Sequence, residues 1–474
     1  MASLNEADEA RQVYAIADAL RNVAGRPDEE AWQHLCTIAA HEQVVRYADA
    51  LGAELTRLGD LTANRVAPHA RRLVLEATAC EPLKLGILLL GLYGDKSDLE
   101  TLLILGRHEE FTLFTALAVA RLVPDPLPLW WRMARGLHGW GKVHLVERIC
   151  DVLEESEGGH EEIRAWLIRE GCENDVLPEY VACRCALGGA LHRALAASAP
   201  DGALLDGACL IVEALMNEEG PSEDMTDYEH GVEVVQRLLD HLERERDDLR
   251  RLSTVVAIST WISHIDTASE GQRSVLEALG WTPHRRNELL GRCKHVIERE
   301  CWKEKVEAAY LSEDADLRRL AWSVSVAVGV DLWEKAFRLL ERNPLDDELY
   351  YALLNNEDLY RQRRVMAFAE RNLPLADIAS GPSTELGFGD EWRPHQCLMF
   401  VLQEQRRPGL FSPSLVTTGL RSPVVRVRNV AAAVLESQPV EAWGPEMGAV
   451  LEGCMRNEPN ESLRQRFEKL WLRL

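Results

Sequence analysis

Apolar residues fall three and four apart along most of this chain, and no stretch alternates convincingly between apolar and polar. Val424, Val427, Ala431, Val434 and Leu435 share one face of a helix. Ser422 and Pro423 stand before it as N-cap and first helical residue: a serine hydroxyl takes a free backbone N–H, and proline has none to satisfy. Arg426 and Arg428 then point away from the apolar stripe. A second unit is equally clear. Asp98 to Gly106 makes a short helix, and Glu109 to Val123 a longer one with Phe111, Phe114 and Leu117 on one side. The Pro124-Asp-Pro-Leu-Pro128 run ends it, since proline cannot continue the hydrogen-bond ladder.

The same reading runs from end to end. Ser3-Leu4-Asn5-Glu6 has capping-box form. Pro68 starts a helix carrying Leu73, Val74 and Ala77. A helix with Trp130 and Trp131 leads to a His138-Gly-Trp-Gly141 turn, and a helix with Val143, Val146 and Ile149 follows. Thr282-Pro283 opens a helix reaching about Lys305. The most apolar run, Leu85 to Tyr93, is far shorter than the ~20 residues of a membrane span and reads as a buried helix. Two polar stretches break the pattern: an acidic loop at 217–231 and a Gly/Pro/Ser-rich loop at 374–391. They divide the chain into helical repeats at 1–216, 232–373 and 392–474.

One segment echoes another. Leu317-Arg318-Arg319-Leu320-Ala321 matches Val427-Arg428-Asn429-Val430-Ala431 as apolar-Arg-x-apolar-Ala, and Arg364-Val-Met-Ala367 keeps the Arg-x-x-Ala part. Arg318 and Arg364 are 46 residues apart, within the ~40–47 of HEAT and armadillo units; Arg364 and Arg428 are 64 apart, so the period is not strict. With helix pairs along most of the chain, the pattern resembles the HEAT-repeat (armadillo-like) superfamily. That resemblance implies an all-α fold, an irregular solenoid of stacked antiparallel helix pairs, and a protein that binds other macromolecules. The segments His138 to His144 and Gly389 to Gln396 also resemble a group of bacterial helical proteins, some labelled limonene (monoterpene) hydroxylase. That second resemblance implies an oxidoreductase, yet neither segment carries residues tied to hydroxylase chemistry.

Charge narrows the partners. The 474 residues hold 77 Asp and Glu against 53 Lys and Arg, a net charge of −24. Residues 391–474 carry +2, so the acidity belongs to the first four-fifths. Such a field repels phosphates and disfavours nucleic acid, while it suits a basic protein partner. The opening Met1 to Glu9 is acidic and polar, unlike a secretion signal. Eleven cysteines without a CxxC pair read as reduced thiols, many in the core. A cytoplasmic location without membrane attachment is expected.

No complete catalytic motif appears. Gly136 to Val143 fits GxxxxGK, but Val143 lacks the hydroxyl that would hold magnesium, and a Trp-rich helix stands where a strand is needed. His41 opens no HExxH motif. Cys293, His295, Glu298 and Cys301 form the densest set of metal-binding types; Cys293 and Cys301 would share a face of one helix with His295 turned away. The six acids of the 217–231 loop fit no EF-hand spacing. Gly-x-Ser-x-Gly is missing, and no cysteine has a haem-thiolate setting. The basic 283–305 helix, with Arg361, Arg363, Arg364, Arg426 and Arg428, could form a nucleic-acid face, or ion pairs within the protein. Exposed Trp and Arg anchor many interfaces, so Trp140, Trp392, Arg393 and His395 are the candidate binding residues. The expected function is a non-catalytic protein-interaction scaffold with no cofactor and no bound metal. An enzyme on a helical scaffold, or a nucleic-acid binder, is the alternative.

Overall fold

The computed structural model describes residues 6–156, 158–244 and 246–474. Among them are twenty-eight α-helices and no β-strand; a single parallel bridge joins Glu385 to Val424. Many helices start where the sequence supplies a cap. The side chains of Asp28, Asp201, Asp248, Asp314, Asp346, Asp358, Ser412 and Asn460 each accept a first-turn N–H. Each such cap contributes about 1 kcal/mol. None of these helices is long and apolar enough to cross a membrane.

The chain forms two compact units, Met1–Val328 and Gly329–Leu474. In the first, Cys80–Tyr93 packs on Ala63–Glu76 and on Glu109–Leu122, which packs on Gly139–Glu154. The row continues through Ala182–Gly188, Gly202–Leu215 and Leu249–Ile265 to Pro283–Ile297 and Ala315–Ser325. In the second, Trp333–Arg342 pairs with Asp347–Leu354, Pro413–Leu420 with Val425–Ser437, and Met447–Asn457 with Glu461–Trp471. Helix Arg393–Glu404 joins Asp347–Leu354 to Val425–Ser437. Neighbours along the chain thus become neighbours in space, the order of an α-solenoid. No pair could bury its apolar stripe alone. Leu85, Ile87 and Leu89 are fully buried in this way, as expected for the most apolar run.

Arginines tie one helix pair to the next. In the first unit Arg169 bonds Asp201, Arg251 bonds Asp206, and Arg292 reaches Glu243 at 2.6 Å. In the second unit Arg361 bonds Asp331, while Arg364–Glu334, Arg466–Glu436 and Arg428–Glu458 lie at 2.6–2.7 Å, each across 30 residues. The two echo segments share more than spelling. Arg318 donates to the Ser312 carbonyl and Arg428 to the Ser422 carbonyl, each six residues back and each at 2.8 Å.

Several expectations need correction. Arg428 does not point outward: it and Glu458 are fully buried. Its helix begins at Val425. The Ser422 hydroxyl takes the Val424 N–H, and the Glu385 carbonyl takes the Val425 N–H, so β-branched Val424 stays extended. Arg361, Arg363, Arg364 and Arg426 take the second of their two readings, bonds within the protein in place of a free basic face. Arg363 donates to the Gly409 carbonyl, and Arg426 donates to the Leu386 and Gly387 carbonyls while lying over Phe388. Pro68 lies inside helix Ala63–Glu76, which Thr62 precedes.

The 283–305 helix is two helices, Pro283–Ile297 and Cys301–Tyr310. The Trp302 indole donates to the Val296 carbonyl at 2.8 Å and ties the start of the second to the end of the first. Cys293 and Cys301 therefore share no helix. The acidic 217–231 loop is anchored by Met225 and Tyr228, both buried. The capping box expected at Ser3 to Glu6 falls mostly outside the described residues.

Candidate functional site

The Gly-rich segment at 136–143 is not a phosphate cradle. Residues 135–138 make the turn, and helix Gly139–Glu154 begins within the motif. Its glycines have steric reasons. Gly139 is left-handed (φ 64°), and a Cβ there would meet the Glu109 carboxylate at 2.5 Å. A Cβ on Gly141 would meet the Thr112 hydroxyl at 2.6 Å. The two glycines let this helix start directly against the beginning of helix Glu109–Leu122, with a carboxylate beside its N-terminus. Lys142 turns inward: only 7% exposed, it places Nζ 5.9 Å from the Trp166 ring. Burial pushes its ammonium below the usual lysine range, against the opposing pull of Glu173 and Glu170.

A loop drapes across this helix start. Asn174 is buried and organises it: its side-chain amide donates to the Cys172 and Leu177 carbonyls and its oxygen accepts from the Val176 N–H. The Asn174 carbonyl takes the Gly139 N–H at 2.7 Å. Asp175 sits in the left-handed region (φ 61°), which aspartate tolerates better than most side chains, and it bonds His138 at 2.8 Å. A π-helical turn, Leu167–Gly171, precedes the loop. Irregular helix and left-handed non-glycine residues often mark functional positions.

This frame holds an exposed aromatic pair. Trp140 is 43% exposed, and its ring lies 4.7 Å from that of Tyr180 at 58°. The His144 ring is 6.2 Å from that of Trp140, and Glu147 lies 3.6 Å from His144. Leu177, on the same loop as Tyr180, is also exposed. Ring faces carry partial negative charge, so an exposed aromatic pair suits a cation with a flat or alkylated head.

The other candidate residues lie in the second unit. His395 is buried, and its Nδ1 is 2.9 Å from the Ser422 hydroxyl. Burial holds its imidazolium below the usual histidine value. The Trp392 ring lies 5.1 Å from the His395 ring, and Arg393 pairs with Asp390 at 2.5 Å and approaches Asp347 at 3.8 Å. These three residues come together as a joint that fixes the start of helix Arg393–Glu404. Ser422 is itself fully buried and already accepts from Val424, so this serine–histidine contact has no face open to a substrate.

The chain's thiols are mostly inaccessible. Eight of the eleven cysteines are buried, Cys36 and Cys301 are partly so, and Cys80 is exposed. Burial pushes the Cys209 and Cys293 thiols up to about 12, which opposes thiolate formation. Among the described residues no three His, Cys, Asp or Glu side chains are grouped to hold a metal ion.

The sequence singles out Trp140 and gives no sign of Tyr180 or Asp175. The Asn174-Asp175 pair is a turn signal; nothing in the sequence announces that the turn brings Tyr180 to Trp140.

No family model matches the chain, and no curated protein matches it. Among solved structures, the crystal structure of an engineered protein aligns over 97% of this chain and 98% of its own, at 16% identity and a TM-score of 0.24, a likeness too low to carry any argument.

Proposed function

We propose that this chain is a HEAT-like scaffold that holds a basic protein partner on the acidic surface of residues 1–328 and performs no chemistry of its own. The observation that carries the reading is where the charge lies. Residues 1–328 contain 56 Asp and Glu against 35 Lys and Arg, whereas residues 329–474 contain 21 against 18. Many of the arginines in the first unit are already bonded to its own carboxylates, so the surplus is negative. A surface of one sign attracts a partner of the other, speeds its encounter and repels nucleic acid. The HEAT-like assignment is supported by the stacked helix pairs and by the matching bonds of Arg318 and Arg428.

The test is affinity capture of the tagged full chain from its host lysate, washed at about 50 mM and 500 mM salt, a range over which the Debye length shrinks to a few ångströms. A stoichiometric basic protein retained at low salt and released at high salt is expected. Recovery of the bare chain at every salt concentration overturns the reading.

A further inference from the structure

We propose that Trp140 and Tyr180, with Glu147 and Asp175 on the helix and loop that carry them, take the guanidinium of an arginine from a basic segment of the partner. The inference rests on the scaffold reading above and places its contact. Trp281, Trp302 and Trp443 are each buried to the last few per cent, so the chain can hide large indoles; Trp140 stays open to solvent. It is held open by construction. The Asn174 carbonyl, the His138–Asp175 contact and the Tyr180 ring fix the loop against the helix start independently of any ligand.

Charge complementarity defines the occupant. Asp175 is 66% and Glu147 48% exposed, and the group beside each is a histidine, His138 and His144, rather than a lysine or arginine. Lys142, the one lysine in the first turn of this helix, is turned inward toward Trp166. The patch thus presents an exposed aromatic pair, with carboxylates on the elements that carry it. Guanidinium fits it better than ammonium: it is planar, it stacks on an indole while donating edgewise, and it sheds water more readily. A neighbouring apolar side chain of the segment would lie on Leu177, which is also exposed.

The experiment uses the full chain and three synthetic peptides of one length: alternating Gly-Arg, Gly-Lys and Gly-citrulline. Binding is followed by calorimetry at about 50 mM salt. The arginine peptide should bind several-fold more tightly than the lysine peptide, and the citrulline peptide should not bind. Trp140→Ala should weaken the arginine peptide about tenfold, and the combined Asp175→Asn, Glu147→Gln variant by a similar factor. Asparagine tolerates the left-handed backbone at 175, so that second variant tests the patch even where Trp140→Ala disturbs the fold. Equal binding of arginine and lysine peptides, or wild-type affinity in both variants, overturns the site but leaves the acidic scaffold standing. Failure of every basic peptide to bind the wild-type chain also overturns the site, while the scaffold reading is decided by the capture experiment above.

Discussion

Replacing Arg428 with methionine should unfold the second unit far more easily than any surface change. The guanidinium makes five bonds: two to Glu458, at 2.7 and 2.8 Å, and one each to the Ser422, Pro423 and Ser383 carbonyls, all at 2.8 Å. Neither member of the ion pair is exposed. Methionine fills similar space, so little cavity term enters. What remains is a buried carboxylate without its cation and the Ser422 and Ser383 carbonyls without this donor, while the Pro423 carbonyl keeps the Ser383 hydroxyl. Breaking a buried pair from one side costs about 3–5 kcal/mol, because the stranded charge keeps its desolvation penalty. For a cooperative body of roughly 150 residues, at ~2–4 °C per kcal/mol, that lowers the melting temperature by roughly 10 °C. Glu458→Gln should cost less, since the amide oxygen still accepts. The double replacement Arg428→Met with Glu458→Leu should recover part of the loss, because no charge is left behind. Scanning calorimetry reads the transition, and hydrogen exchange at residues 383–387 reads the loop that Arg428 ties down. A loss below about 1 kcal/mol in Arg428→Met, with unchanged exchange in the loop, would refute the claim that this pair holds the unit together.

Other outcomes follow from the same geometry. Gly207→Ala places a Cβ 2.0 Å from the Ile168 carbonyl oxygen on the π-helical turn, so it should destabilise the first unit by about 1–3 kcal/mol or more; an unchanged denaturation midpoint would show that the turn yields freely. Burial depresses the His395 value below the ~6.5 of an unfolded histidine. The unfolded chain therefore takes the proton first, and stability present above pH ~6.5 is lost as the pH falls through the folded value. His395→Gln should flatten that part of the pH profile, and an imidazole signal titrating above 6.5 would contradict the burial argument. A thiol reagent on the native chain should label Cys80 fast, Cys36 and Cys301 slowly, and the other eight only on unfolding; rapid labelling of Cys293 would contradict the packing described.

The helical class was legible because it rests on local signals. Apolar spacing, aspartate caps and proline breaks are written residue by residue, and the Glu109–Leu122 helix and the buried Cys80–Tyr93 run follow them closely. Errors arose where a distant segment decides. The Ser422-Pro423 pair looks like a helix start, but the Glu385 carbonyl and His395 claim the groups that would have capped it. Arg428 looks like a surface cation until Glu458, thirty residues on, proves to be its buried partner. Pro68 can sit inside a helix whose packing against Cys80–Tyr93 outweighs one missing bond. The Trp140 patch was half legible: the tryptophan stands in an unusual glycine setting, while its partner ring arrives through the turn at Asn174-Asp175.

The most direct test of the scaffold reading is zero-length carboxyl–amine cross-linking of the captured complex, mapped by mass spectrometry. The account predicts that lysines of a basic partner attach to carboxylates within residues 1–328, with Asp175 or Glu147 among them. Attachment confined to residues 329–474, or a partner that is itself acidic, would contradict it.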